Sequence, residues 1–190
     1  MFFARCILLL SFPLFFQGCA YFEQKQSPWK AAVNRHTSQL GYRNWIVIAE
    51  ASFPALNRTG IGQVSANVEI PEALDYVLKI IDESQNVKPA IYFTKESQVI
   101  ENNQAPGIDQ LRERLAISIR SMETTKVEQD SLIAILQDVN RSFDVLIVRT
   151  TSTLPYSSVF LELQPGYWDA EAEEKLRQRM TATTAPAVPN

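Results

Sequence analysis

Residues 41–57 read GYRNWIVIAEASFPALN. The run Asn44–Ala49 is short, apolar and β-branched, with no alternation of polar residues, which is the pattern of a strand covered on both faces. It ends on a carboxylate, Glu50, followed at once by a corner of small residues holding Phe53 and Pro54. Sites in open α/β sheets gather where strands end and loops begin, so Glu50 is a candidate site residue. A solvated acid at a loop is the plainer reading of the same position.

Outward from this strand, KPAIYFT (88–94) and FDVLIVRT (143–150) repeat the apolar pattern, and YSSVFLEL (156–163) follows the loop TSTLP. SANVEI (65–70) reads as a further short strand. Helical patterns lie between them. SPWKAAVNRHTSQLG opens with Ser27 as N-cap and Pro28 at the first helical position, and closes at Gly41. PEALDYVLKIIDES carries Leu74, Val77, Leu78 and Ile81 on one stripe. GIDQLRERLAISIRS is a helix, and VEQDSLIAILQDVNRS turns Leu132, Ile135, Leu136 and Val139 inward. Apolar strands alternating with amphipathic helices predict an α/β fold, a three-layer αβα sandwich on a mostly parallel mixed sheet. Two loops are then site candidates, 50–63 and 149–158. Arg149, at the end of an all-apolar strand, either pairs with Glu50 across the sheet edge or contacts a ligand. Trp45 lies inside its strand and reads as core, and His36 as a surface or packing residue of the first helix.

Composition narrows the function classes. Of 190 residues, 46% are apolar and 21% charged, enough for a real core, and the net charge of -3 gives no basic field for nucleic acid. Glycine-rich phosphate-binding motifs are missing. Both cysteines fall in the first twenty residues and His36 is the only histidine. That excludes a disulfide framework, a Cys/His zinc site, and any Ser-His-Asp triad that does not use His36. No cofactor and no metal are expected.

The amino terminus, MFFARCILLLSFPLFFQGCA, has Arg5, an apolar run over Cys6–Phe16, and then Phe16-Gln17-Gly18-Cys19. This matches a signal peptide (1–18) ending in a lipoprotein box, an uncleaved apolar anchor or a plain signal being the other reading. It predicts diacylglycerol on the Cys19 sulfur, a lipid-anchored tether over 19–27, and a place in the cell envelope on the periplasmic face, the outer membrane favoured. The folded domain is expected over 28–166. A charged helix and a Pro/Ala/Thr tail (167–190) follow it. Asn57-Arg58-Thr59 has the glycosylation pattern, discounted in a bacterial lipoprotein.

Taken in order, these features resemble the D-ribose pyranase / L-fucose mutarotase (RbsD/FucU) family. That family carries Leu-Gly-His, an apolar strand, then Asp-Ala-x-x-Pro. Here the frame is Leu40-Gly41-Tyr42, the strand Trp45–Ala49, then Glu50-Ala51-Ser52-Phe53-Pro54. Near the carboxyl end the family has a strand, a Gly-Glu turn and Pro-Tyr-x-Asn. Here Thr151-Ser152 stand at the turn, followed by Pro155-Tyr156-Ser157-Ser158. The resemblance covers about residues 28–166, except 95–128, which do not align. It implies a monosaccharide ligand, a homo-oligomer, and interconversion of sugar ring forms or anomers by general acid–base chemistry without a cofactor. It assigns catalysis to Glu50 and Tyr42, and substrate contact to Tyr156 and Ser158; Arg149 joins the substrate-contact candidates from its place at the strand end. Tyr42 stands where the family keeps its histidine. Its ordinary pKa of about 10 compares with about 6.5 for histidine, so working near neutral pH requires about 4 kcal/mol of environmental bias. An inactive sugar-binding protein, or a structural envelope lipoprotein using the same fold, is the alternative.

Overall fold

The structure is a computed structural model that describes residues 27–56, 59–120 and 122–184. The leader, Cys19, most of the tether, Asn57-Arg58 and the last six residues lie outside the described part. The elements in chain order are α1 (Pro28–Thr37), β1 (Trp45–Ala49), β2 (Ile61–Ser65), α2 (Ile70–Ser84), β3 (Val87–Thr94), α3 (Glu96–Val99), α4 (Ile108–Ile119), β4 (Thr124–Val127), α5 (Gln129–Val139), β5 (Val145–Arg149), β6 (Val159–Pro165) and α6 (Ala170–Thr184).

The six strands form one mixed sheet in the order β2-β5-β1-β6-β3-β4. β1 and β2 both pair with β5 in parallel, and β3 pairs with β4 in parallel. β6 alone runs the other way, lying between β1 and β3 and antiparallel to both. Side chains alternate between the two faces, as the pleat requires. On one face Ile46, Ile48, Leu146, Val148, Leu161 and Ile91 meet α1, α2 and α4 through residues such as Val33, Leu74 and Leu111. On the other, Trp45, Val47, Ile147 and Phe160 meet α5 through Leu132 and Leu136, and the corner after β1 through Phe53. Helices thus cover both faces, and the fold is the three-layer α/β sandwich that the sequence predicts.

Local differences have local causes. α1 stops at Thr37, four residues short of Gly41, and the Ser27 side chain makes no cap hydrogen bond. The second strand occupies Ile61–Ser65 rather than 65–70, because Ile70 is already the first residue of α2. On α5, Leu132 and Leu136 are fully buried, but Ile135 is exposed. β4 carries no apolar run. It reads TTKV, is largely exposed, and exists as a strand through its pairing with β3.

Tyr92 on β3 donates to Glu162 Oε2 at 2.8 Å and stacks on Trp45. Burial, then the neighbouring Glu162 carboxylate, pushes the Tyr92 phenol up to about 12. A folded-state pKa above the unfolded value of about 10 means that the neutral phenol stabilises the fold. That contribution is full below pH 10 and is lost as pH rises through 12. Spectrophotometric titration should find one tyrosine ionising near pH 12, and that step should vanish in Tyr92→Phe. The stability gap between wild type and Tyr92→Phe should narrow only above pH 10.

Candidate functional site at the carboxyl edge of the sheet

β1, β3 and β5 all end at one edge, and β6 begins there. Glu50, directly after β1, is 4% exposed. Its carboxylate Oε2 accepts the Ser158 N–H at 2.9 Å and the Ser158 hydroxyl in a short hydrogen bond. The Glu50 N–H donates back to Ser158 Oγ at 3.1 Å. A buried carboxylate is costly unless it is hydrogen-bonded or paired. Among the described residues no ion pair reaches Glu50, so neutral donors hold the charge. Ser158 is 1% exposed, with both its backbone N–H and its hydroxyl turned to Glu50. It positions the carboxylate.

Arg149 does not pair with Glu50. Its guanidinium donates to the carbonyls of Ala51 at 3.0 Å and Phe53 at 2.7 Å, bracing the corner that the sequence marks with Phe53-Pro54. The Phe53 ring lies edge-on to Phe160 at 5.9 Å, which anchors the same corner in the core. Beside it, the turn after β5 is stitched to β1. Thr150 donates to the Ala49 carbonyl from both N–H and hydroxyl, and the Ala51 N–H donates to the Ser152 carbonyl.

Tyr156 sits on the lead into β6 with φ 57°, a left-handed conformation that a bulky residue rarely adopts. Its carbonyl accepts the Thr94 hydroxyl at 2.8 Å, tying the turn to the end of β3. Its ring remains partly exposed. Such strain persists where surrounding contacts over-determine it, and it concentrates at functional positions. Next to it, Ser157 lines a cavity of about 190 Å³ between β3, β4 and α4, floored by Phe93, Ile108, Leu111 and Leu115.

Tyr42 lies elsewhere. It precedes β1, its ring is more than half exposed, and the Arg43 guanidinium stands 5.0 Å above it. The five residues of β1 separate it from Glu50, about 13 Å of strand at 3.3 Å per residue. Within one chain the two proposed acid–base partners therefore stand at opposite edges of the sheet. His36 is at that opposite edge too, on a cleft of about 230 Å³ with Gly60, Gly62 and Asp144.

The sequence reading missed Thr94 and Thr150, which are buried hydroxyls at this edge, and Ser157. A signal was present, since both threonines close an apolar strand. Ser152, noted only as a turn residue, is 2% exposed, and its Oγ has no hydrogen-bond partner. Among the described residues, no group of three or more His, Cys, Asp or Glu is placed to hold a metal.

No protein-family model matches the sequence, and no curated protein matches it. Among solved structures, the chain is similar to Bacillus subtilis RbsD complexed with D-ribose, at 18% identity and TM-score 0.47, covering 68% of this chain and 88% of that one. It is also similar to the fucose mutarotase of Streptococcus pneumoniae in complex with L-fucose, at 19% identity and TM-score 0.46, covering 68% and 89%. For FucU from Bifidobacterium longum the values are 14%, 0.44, 68% and 91%. At these values, function must be argued from this chain's own residues.

Ser158→Ala removes a hydroxyl that both donates to the Glu50 carboxylate and accepts its N–H. The variant should lose about 1–3 kcal/mol of stability, the usual cost of leaving buried polar groups unsatisfied. Urea unfolding measures this, and a loss under about 0.5 kcal/mol would show that the link does not hold the start of β6.

Proposed function

We propose that the protein binds a monosaccharide at this carboxyl edge. Tyr156 offers an aromatic face for the sugar ring, and Glu50 an acceptor for a sugar hydroxyl. Ser158 and Arg149 hold the carboxylate and the corner in place. The observation that carries the proposal is Glu50 itself, a buried carboxylate with no counter-cation among the described residues, set at a strand end and held by Ser158, two residues after a strained, exposed tyrosine. The ordered motifs shared with the RbsD/FucU family supply the ligand class.

Binding is favoured over turnover because Tyr42 stands at the far edge in the same chain. Mutarotation is the second reading. It needs Tyr42 of one copy beside Glu50 of another, and the exposure of Tyr42 in the single chain is compatible with that. There Glu50 would take the anomeric hydroxyl proton while the phenol protonates the ring oxygen, and the roles would then reverse.

Saturation-transfer NMR with ribose and fucose tests both readings. Wild type should transfer saturation to sugar protons. Tyr156→Gly should abolish the transfer and leave stability equal or higher, since glycine adopts φ 57° without strain. Contact without faster anomer exchange is the expected outcome. Exchange accelerated by wild type and lost in Glu50→Gln would establish mutarotation instead, and no contact with any sugar would overturn the binding proposal.

We further propose that the chain is a lipoprotein held to a membrane by diacylglycerol on Cys19, on the strength of the Gly18-Cys19 box after an apolar leader. Among the described residues no helix is long and apolar enough to cross a membrane. Cys19→Ala should move the protein from the membrane fraction to the soluble one. Retention in the membrane, with the leader uncut in both forms, would refute the anchor.

A further inference from the structure

At the β4 end of the sheet the cover is incomplete. α4 packs against α2, and the cavity of about 190 Å³ remains between α4 and the two end strands, β3 and β4. Its body is apolar. Ile108, Leu111 and Leu115 of α4 face Phe93 of β3, and all four belong to the larger hydrophobic core. An apolar cavity of about 150 Å³ stays dry and takes up benzene. This one therefore has room for a ring or a short acyl chain.

The chemistry changes at the rim. Lys126 lies level with Phe93 in the β3–β4 register, which puts both side chains on the α4 face of the sheet. It lines the cavity while remaining exposed. No ion pair reaches it among the described residues, and the acid two positions on, Glu128, is taken by Lys95 at 3.3 Å. The other cation on the cavity is Arg112. It is held in place by the carbonyls of Ser97 and Ile100, to which it donates, and its charge is balanced by Asp109. No carboxylate lines the cavity. One net positive charge, that of Lys126, is thus left over at the mouth of an apolar space.

We propose that this cavity is a binding site for a small amphiphilic acid, a ring or short apolar chain bearing one carboxylate. The apolar body fills the space under β4, and the carboxylate meets Lys126 at the rim. Both charges stay at the solvent-facing mouth, so neither incurs the desolvation cost of a buried ion. A single unbalanced charge matches a monoanion better than a dianion such as a phosphate monoester. This site does not depend on the sugar-binding proposal, since its lining includes neither Glu50 nor Tyr156.

Isothermal titration calorimetry of the full chain with phenylacetate, 2-phenylethanol and phenethylamine tests the proposal. The three share one apolar body and differ in charge. Phenylacetate should bind tightest and phenethylamine weakest, with steps of about fivefold, the scale of one exposed ion pair. Lys126→Glu should reverse that order, a result that a merely structural lysine would not give, and its exposed position leaves the fold intact. Ala116 lines the cavity from the exposed side of α4. Ala116→Phe should fill the space and abolish binding of all three, with thermal unfolding unchanged or raised. No binding of any probe, equal binding of the three, an order unmoved by Lys126→Glu, or binding that survives Ala116→Phe would each overturn the proposal.

Discussion

The sheet depends on one strand that runs against the rest. Without β6, the parallel ladders form two separate pieces, β2-β5-β1 and β3-β4. β6 joins them by pairing antiparallel with β1 on one side and β3 on the other. A strand in that position must start in register on both sides, because a slip of one residue would turn Phe160 out of one core and Leu161 out of the other. The reciprocal hydrogen bonds between Glu50 and Ser158 fix its start against β1. The Thr94 hydroxyl on the Tyr156 carbonyl fixes it against β3.

The same constraint creates the candidate site. Ligands of open α/β sheets bind outside the carboxyl ends of strands, where the connections diverge. Here the divergence lies at β6. The corner after β1 packs on the α5 face through Phe53, while α3 and α4 close over the ends of β3 and β4. The residues that fix the start of β6, Glu50, Ser158 and Tyr156, therefore lie together at this edge, the first two buried and the third exposed. Under the sugar-binding proposal a structural and a binding role share one set of side chains, which is why tests that separate stability from sugar contact are needed.

What was legible in the sequence follows physical lines. β1 and β5 could be read directly because burial on both faces leaves an unbroken apolar run. β4 could not, because an exposed edge strand of four residues is fixed by its neighbour and leaves no hydrophobic pattern. Glu50 was legible as a carboxylate at a strand end. The Arg149 pairing was not, because nothing in the sequence shows that the corner turns its carbonyls toward the guanidinium. Tyr42 was placed by its position in a motif, and a motif position carries no distance. The strand β1 lies between it and Glu50, so within one chain the two stand at opposite ends of that strand. Motif proximity carries spatial meaning across a turn and loses it along an extended segment.

Glu50 and Ser158 make physical sense together at the β1–β6 joint. A long acid reaches across to a short polar partner. Adjacent strands keep a spacing of about 4.8 Å whatever their side chains, so the reach from one to the other must be preserved by the pair rather than by either member. Glu50 meets Ser158 directly at backbone N–H and hydroxyl. Aspartate there, set against serine, would fall short and leave a buried charge without its donors. Glutamate set against asparagine would crowd a joint that is already nearly buried. The joint thus combines a long buried acid with a short polar partner, and the pair sets the register at which β6 starts. The same pairing draws the carboxylate down onto the strand beside it, where it accepts two hydrogen bonds from a single residue.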